Sequence, residues 1–209
     1  MQPLKGFTML ELVVSIGIIS VLGALCVPGF SRLQGRAKQA EAKTNLRALN
    51  DFELAYYMSF DTFSTSVGRI GFTPTRGNRY QYNLVGTSSL NADARSGATA
   101  NTPAGADAIM IDTFKYPSAY KEVRIAALKC GSVAAVTPGI FGRFLGTAQG
   151  NIDNDPTADQ WSVASYGRDL NACADVAGNA PAGEPENEQD DTVQGNPDDR
   201  DNERSVASR

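Results

Sequence analysis

Glu11 stands where a carboxylate needs a reason. In "KGFTMLELVVSIGIISVLGALCVPGF" it is the one acid, and from Leu12 to Val27 there is no charge at all. A charged carboxyl near one end of a membrane-length helix costs about 3 kcal/mol on insertion scales. Few other residues could do chemistry. The chain has no histidine, which removes the commonest general base and metal ligand. Cys26 lies inside the apolar run and reads as a small hydrophobe, while Cys130 and Cys173 lack the close spacing or histidine neighbours of a redox or zinc site. "GNIDNDPTADQW" gathers Asn151, Asp153, Asp155 and Asp159, hard oxygen donors of the kind calcium takes. It has neither the glycine nor the terminal glutamate of an EF-hand loop. It therefore reads first as an Asx-rich turn between strands, with Asp153 and Asp155 as calcium candidates. No phosphate-binding loop and no close catalytic carboxylate pair is evident, so no enzyme activity is expected and no catalytic residue is assigned.

The elements around these residues follow from periodicity. At about 1.5 Å per residue, Met9 to Val27 makes a helix of about 28 Å, against a bilayer core of about 30 Å. Beyond it, Ala42, Leu46, Leu49, Phe52, Tyr56 and Phe60 recur at offsets of three and four, one face of a continuing helix. The expected element is a helix of about 50 residues, apolar all round in its first half and amphipathic in its second. The first half has nothing in its own chain to bury it, so it needs lipid or other copies of itself. Pro28 predicts a bend or a melted turn between Gly23 and Gly29.

From Asp61 onward the pattern is one of loops and strands. Tyr80, Tyr82 and Leu84 alternate with polar residues after the turn signals of "TPTRGN". Residues 86–106 read as a surface loop, and further strands are expected at Ala108–Phe114, Val123–Leu128, Phe144–Thr147 and Trp161–Ser165. Strands that follow one long helix predict an α+β fold, an antiparallel sheet packed on that helix. With 209 residues and 42% hydrophobic content, one ordinary domain fits beside the apolar segment. The net charge of −4 is uneven. Residues 175–209 hold ten acids against three arginines, a net of −7, which leaves +3 on the rest. That segment has no aromatic residue and many acids, and reads as a disordered tail. A uniformly basic surface is absent, so no nucleic acid partner is expected.

The apolar segment is too long for an ordinary secretory signal, which also would not carry Glu11. A lipoprotein signal wants a small residue before its cysteine, and Leu25 precedes Cys26. A plain membrane anchor explains the length but not the acid. "KGFTMLEL", with a short basic leader ending in glycine, then phenylalanine, glutamate as the fifth residue after the glycine and a long apolar run, resembles the type IV pilin family, type IVa prepilins in particular. "IGFTPTRGNRYQY" resembles the segment after the helix in longer major pilins of the twitching- and gliding-motility type. Met9 departs mildly from the pattern, and Pro28 falls where the family commonly carries a helix-bending proline.

The resemblance implies a function and its sites. A prepilin peptidase cuts between Gly6 and Phe7, and Phe7 becomes N-methylphenylalanine. Glu11 becomes the fifth mature residue and pairs with such an amine during filament assembly. The domains are then a leader at 1–6, the helix at 7–60 with 7–30 as membrane and filament core, a β-sheet domain at 61–174 and the tail at 175–209. The implied partners are the peptidase, the inner-membrane assembly machinery, the membrane before assembly and other copies in a helical filament. The implied location is a single pass through the inner membrane with a periplasmic domain, then an extracellular pilus serving motility or adhesion. Family members commonly tie the C-terminal part to the sheet by a disulfide, here Cys130–Cys173, in a compartment where disulfides persist. The alternatives are a minor pilin or type II secretion pseudopilin, and a membrane-anchored periplasmic protein that never polymerises. One rule points the other way: Arg32, Arg36, Lys38 and Lys43 follow the span, and the positive-inside rule would keep them in the cytoplasm.

Overall fold

The computed structural model describes residues 7–86, 91–98, 102–117, 133–151, 158–170 and 179–189, with side chains undescribed at 25–29, 31 and 32. Helix α1 runs Met9–Phe60. The strands are β1 Gln81–Asn83, β2 Ala92–Asp93, β3 Ala108–Ile109, β4 Ala135–Thr137, β5 Arg143–Gly150, β6 Asp159–Ala164, β7 Arg168–Asp169, β8 Asn179–Ala180 and β9 Glu186–Gln189. The chain divides into two compact units, 1–37 and 38–209.

In the first unit the helix is unbroken through Pro28, so the melted turn expected there does not occur. A proline inside a helix removes one donor without having to end the helix. Every large apolar side chain from Phe7 to Leu22 is more than half exposed, from 51% at Leu12 to 85% at Met9. Among the described residues no helix is long and apolar enough to cross a membrane. The sequence run that predicts a span also takes in 25–27, whose side chains lie outside the described set.

The second unit packs the remaining turns of α1 on a sheet ordered β2-β3-β1-β5-β6-β9, with β4 also on β5. Pairing is antiparallel except that β2 runs parallel to β3, so the sheet is mixed. Strand β5 is the spine. It takes β1 across 147–149 and β4 across 143–145 on one side, and β6 across 145–150 on the other. Ala42, Leu46 and Leu49 of α1 bury completely in one core with Tyr80, Tyr82, Leu84, Phe144, Ala148 and Val163. Gly146 permits that approach: a Cβ there would stand 2.7 Å from Leu49 Cδ2.

Three expectations are corrected. The buried face of α1 continues from Leu49 to Asn50 and Glu53, at 7% and 0% exposure, whereas Phe52 is 42% and Phe60 63% exposed. Residue 53 continues the 46–49 row at the helical spacing, so the carboxylate rather than the aromatic enters the core. Residues 86–106 are more than a surface loop. They supply β2, and Arg95 is buried, bonding Asp93, the carbonyl of Pro74 and Asn78 Oδ1. The ordered domain also extends past 174, because β9 pairs with β6 and its Glu188 is fully buried against Arg168 at 2.8 Å. Strand formation here rests on edge pairing and ion pairing, which low hydrophobicity does not reveal. The expected strand at 123–128 lies outside the described residues.

Asp159 joins these parts. Its Oδ2 accepts from Tyr80 Oη at 2.5 Å and Trp161 Nε1 at 2.6 Å, and its Oδ1 from Gln39 Nε2 at 3.2 Å and Asn187 Nδ2 at 3.3 Å. Helix α1, the entry to β1, β6 and β9 thus meet on one buried carboxyl group. Burial first, and then Asp159, pushes the Tyr80 hydroxyl far above its ordinary range, so Tyr80 stays a donor. Asp159→Ala leaves these donors without their acceptor and is expected to destabilise the fold by about 3 kcal/mol, with Tyr80→Phe milder at about 1 kcal/mol. Denaturant titration of the two variants checks the order. Equal, negligible losses would mean that Asp159 does not hold the helix to the sheet.

Candidate processing and assembly site

The N-terminus of α1 is built by two residues. Thr8 precedes the helix as its cap, and Glu11 occupies the third helical position. Glu11 N–H donates to Thr8 Oγ1 at 3.3 Å, and Thr8 N–H donates back to Glu11 Oε2 at 2.9 Å. The Thr8 hydroxyl also donates to Oε2, at 2.8 Å. This is a reciprocal capping box, which satisfies two of the amide donors that a helix start leaves unpaired. A carboxylate in the first turn further complements the positive end of the helix dipole.

The box has two consequences. It ends the helix at Met9, so Phe7 lies outside it, 78% exposed. A peptide bond just ahead of Phe7 therefore adjoins non-helical backbone, the form a peptidase can engage. Both hydrogen bonds of the Glu11 carboxylate also fall on Oε2. Oε1 carries no partner among the described residues and stays available to a second donor.

Thr8 had a readable signal that the cost of a membrane carboxylate obscured. "TMLE" ahead of an apolar run is the spacing of a capping box. Gly6 lies outside the described residues, as do Cys130, Cys173, Asp153 and Asp155. Asp159 is described, and it is fully buried at the start of β6. Both its oxygens are directed into the core and occupied by the four donors named above.

Comparison with known proteins bears on the whole chain. The family model for the prokaryotic N-terminal methylation motif matches residues 2–27, the region of the capping box. The model described as type IV pilin PilA matches residues 33–159, more than half of the chain. The type IV major pilin protein PilA of Myxococcus xanthus (strain DK1622) is 33% identical over 206 residues, covering 90% of this chain and 93% of that protein. With a cap of this geometry, an exposed apolar helix and these matches, the chain belongs to the type IV pilin family, a family of structural pilus subunits rather than enzymes.

Proposed function

We propose that this chain is a major pilin, cut between Gly6 and Phe7, methylated on the Phe7 amine and polymerised through α1 into a filament for surface motility or adhesion. The similarity to a major pilin along nearly the full length of both chains carries this reading. Before assembly the apolar segment sits in the inner membrane with the globular unit in the periplasm. The assembly machinery there then delivers it to neighbouring copies. Helix packing supplies the cover that the exposed residues from Phe7 to Leu22 require.

Glu11 has separate work at each stage. Through Oε2 it caps its own helix, and this local use offsets part of the cost of placing a carboxylate near the membrane. Through Oε1 it can accept from the new amine of a neighbouring copy. Pairing two charges in a low-dielectric filament core offsets part of what each costs alone, and removing one leaves the other buried and uncompensated. The proposed Cys130–Cys173 disulfide closes a loop of about 40 residues, worth roughly 4 kcal/mol on the chain-entropy model.

The substitutions that test this separate capping from charge. Glu11→Ala is expected to give processed, membrane-resident protein and few or no pili, with Glu11→Asp intermediate. Glu11→Gln preserves a capping side chain but not the charge, so it too is expected to lose pili. Thr8→Val weakens the cap by about 1 kcal/mol and is expected to keep them. Sheared-filament yields set against membrane immunoblots decide it: wild-type pili from Glu11→Gln would reduce Glu11 to a cap.

Processing and crosslinking have their own assays. Gly6→Val is expected to leave unprocessed precursor in the membrane, whereas wild-type protein yields methyl-phenylalanine at Phe7 by mass spectrometry. A normal mature N-terminus from the variant would refute the cut. Non-reducing peptide maps are expected to join Cys130 to Cys173 and leave Cys26 free. Two free thiols in exported protein would remove the crosslink and one support for the periplasmic location.

A further inference from the structure

Two buried oxygens on neighbouring turns of α1 are acceptors without a donor among the described residues. Glu53 Oε1 and Asn50 Oδ1 are both buried without a hydrogen bond among the described residues, although Glu53 Oε2 accepts from Ser64 N–H at 3.1 Å. The two residues are three apart on α1, and side chains at that spacing are neighbours on one helix face, with Cβ atoms about 5–6 Å apart. Two acceptors cannot satisfy each other. One added proton resolves both.

We propose that Glu53 is a neutral carboxylic acid whose Oε1–H donates to Asn50 Oδ1, so that a single proton closes the contacts of this helix face. The acid then joins α1 to the segment after it through Ser64. Asn50 lies against the turn at 181–184, where a Cβ on Gly183 would stand 3.3 Å from Asn50 Nδ2. Deprotonation leaves two buried oxygens facing each other and weakens this junction, making the stability of the globular unit sensitive to pH.

The surroundings favour the neutral form. Burial pushes the Glu53 carboxyl up to about 7, opposed only by the Ser64 N–H. The ionisable groups on adjoining elements are engaged elsewhere or lie in solvent. On α1, Arg47 pairs with Glu184 of the 181–184 turn at 2.6 Å, both about half exposed, and Asp51 is exposed. The Tyr57 hydroxyl donates to the carbonyl of Ile140. After the helix, Asp61 and Arg69 are both exposed, and on β5 Arg143 lies over the Tyr166 ring at 5.3 Å. None of these is among the causes of the Glu53 shift.

The sign follows from linkage. A carboxyl with a folded value near 7 and an unfolded value of 4.5 contributes stability that is full below 4.5 and is lost as pH rises through about 7. The folding equilibrium constant should fall on the order of a hundredfold across that window. Burial also raises the Glu41 carboxyl, so the comparison must be with a variant rather than with pH alone. Glu53→Gln places an amide donor where the acid proton stood. In the full-length chain in detergent micelles it is expected to match wild type at pH 4.5, exceed it at pH 8 and lose this part of the pH dependence.

Carbon NMR of the Glu53 carboxyl separates the proposal from its competitors. A midpoint near 7 that falls by about one pH unit in Asn50→Leu supports it, because the acceptor for the neutral form has gone. A midpoint at or below 5 in wild type overturns it. A midpoint that stays or rises in Asn50→Leu also overturns it. That result would mean that Asn50 donates its amide to a carboxylate, or that a water or cation holds the two oxygens.

Discussion

A helix that meets a sheet through a buried carboxyl group is held differently from one that meets it through apolar contact alone. Leu46 and Leu49 supply area, which is indifferent to small rotations of the helix. Asp159 supplies direction. Its two oxygens receive donors from α1, from the residue ahead of β1, from β6 and from β9, and each donor is oriented by its own backbone. Moving any one element strands a donor in the core, and an unmade buried hydrogen bond costs more than a made one contributes. Glu41 repeats the device nearer the rim, where its carboxylate accepts from the Arg79 N–H at 2.7 Å and pairs with the guanidinium at 3.2 Å. Asn45 does so without charge, donating to Tyr82 Oη at 2.7 Å. The register of helix on sheet is thus set by polar residues embedded in an apolar contact.

This explains what could be read from the sequence and what could not. The helix was legible because its pattern is long, and β1, β5 and β6 because alternation or short apolar runs mark a strand. Pairs such as β2 with β3 span two residues and depend on partners distant in sequence, so no local pattern announces them. Strand β9 has the composition of a solvated tail. Its Glu188 is held by Arg168 and Ser162, partners that only the folded chain brings near.

The candidate site divides along the same line. The N-terminal motif that the family model matches was legible because such a motif is local and linear. Thr8 was legible in principle, since a capping box is also local. Asp159 was not legible for the opposite reason: three of the four donors it receives come from elements distant in sequence, and only its position at the start of β6 turns it toward them. Glu53 is a further case. It directly follows Phe52, the residue that propensity would place inside, and only the phase of the helix decides which of the two is buried.

Glu11 and Glu53 show two solutions to one problem on a single helix. Both are carboxyl groups among apolar neighbours, where an unpaired charge is expensive. At Glu11 the helix end provides free N–H groups, so an acceptor there is useful and can remain charged. Glu53 lies well inside the helix, where the backbone donors are already committed to carbonyls four residues back. Only Ser64, beyond the helix end, supplies one from outside. A mid-helix acid with one donor for two oxygens is better served by keeping its proton. Position along the helix, rather than residue type, decides which carboxyl finds donors for its charge and which is better served by its proton.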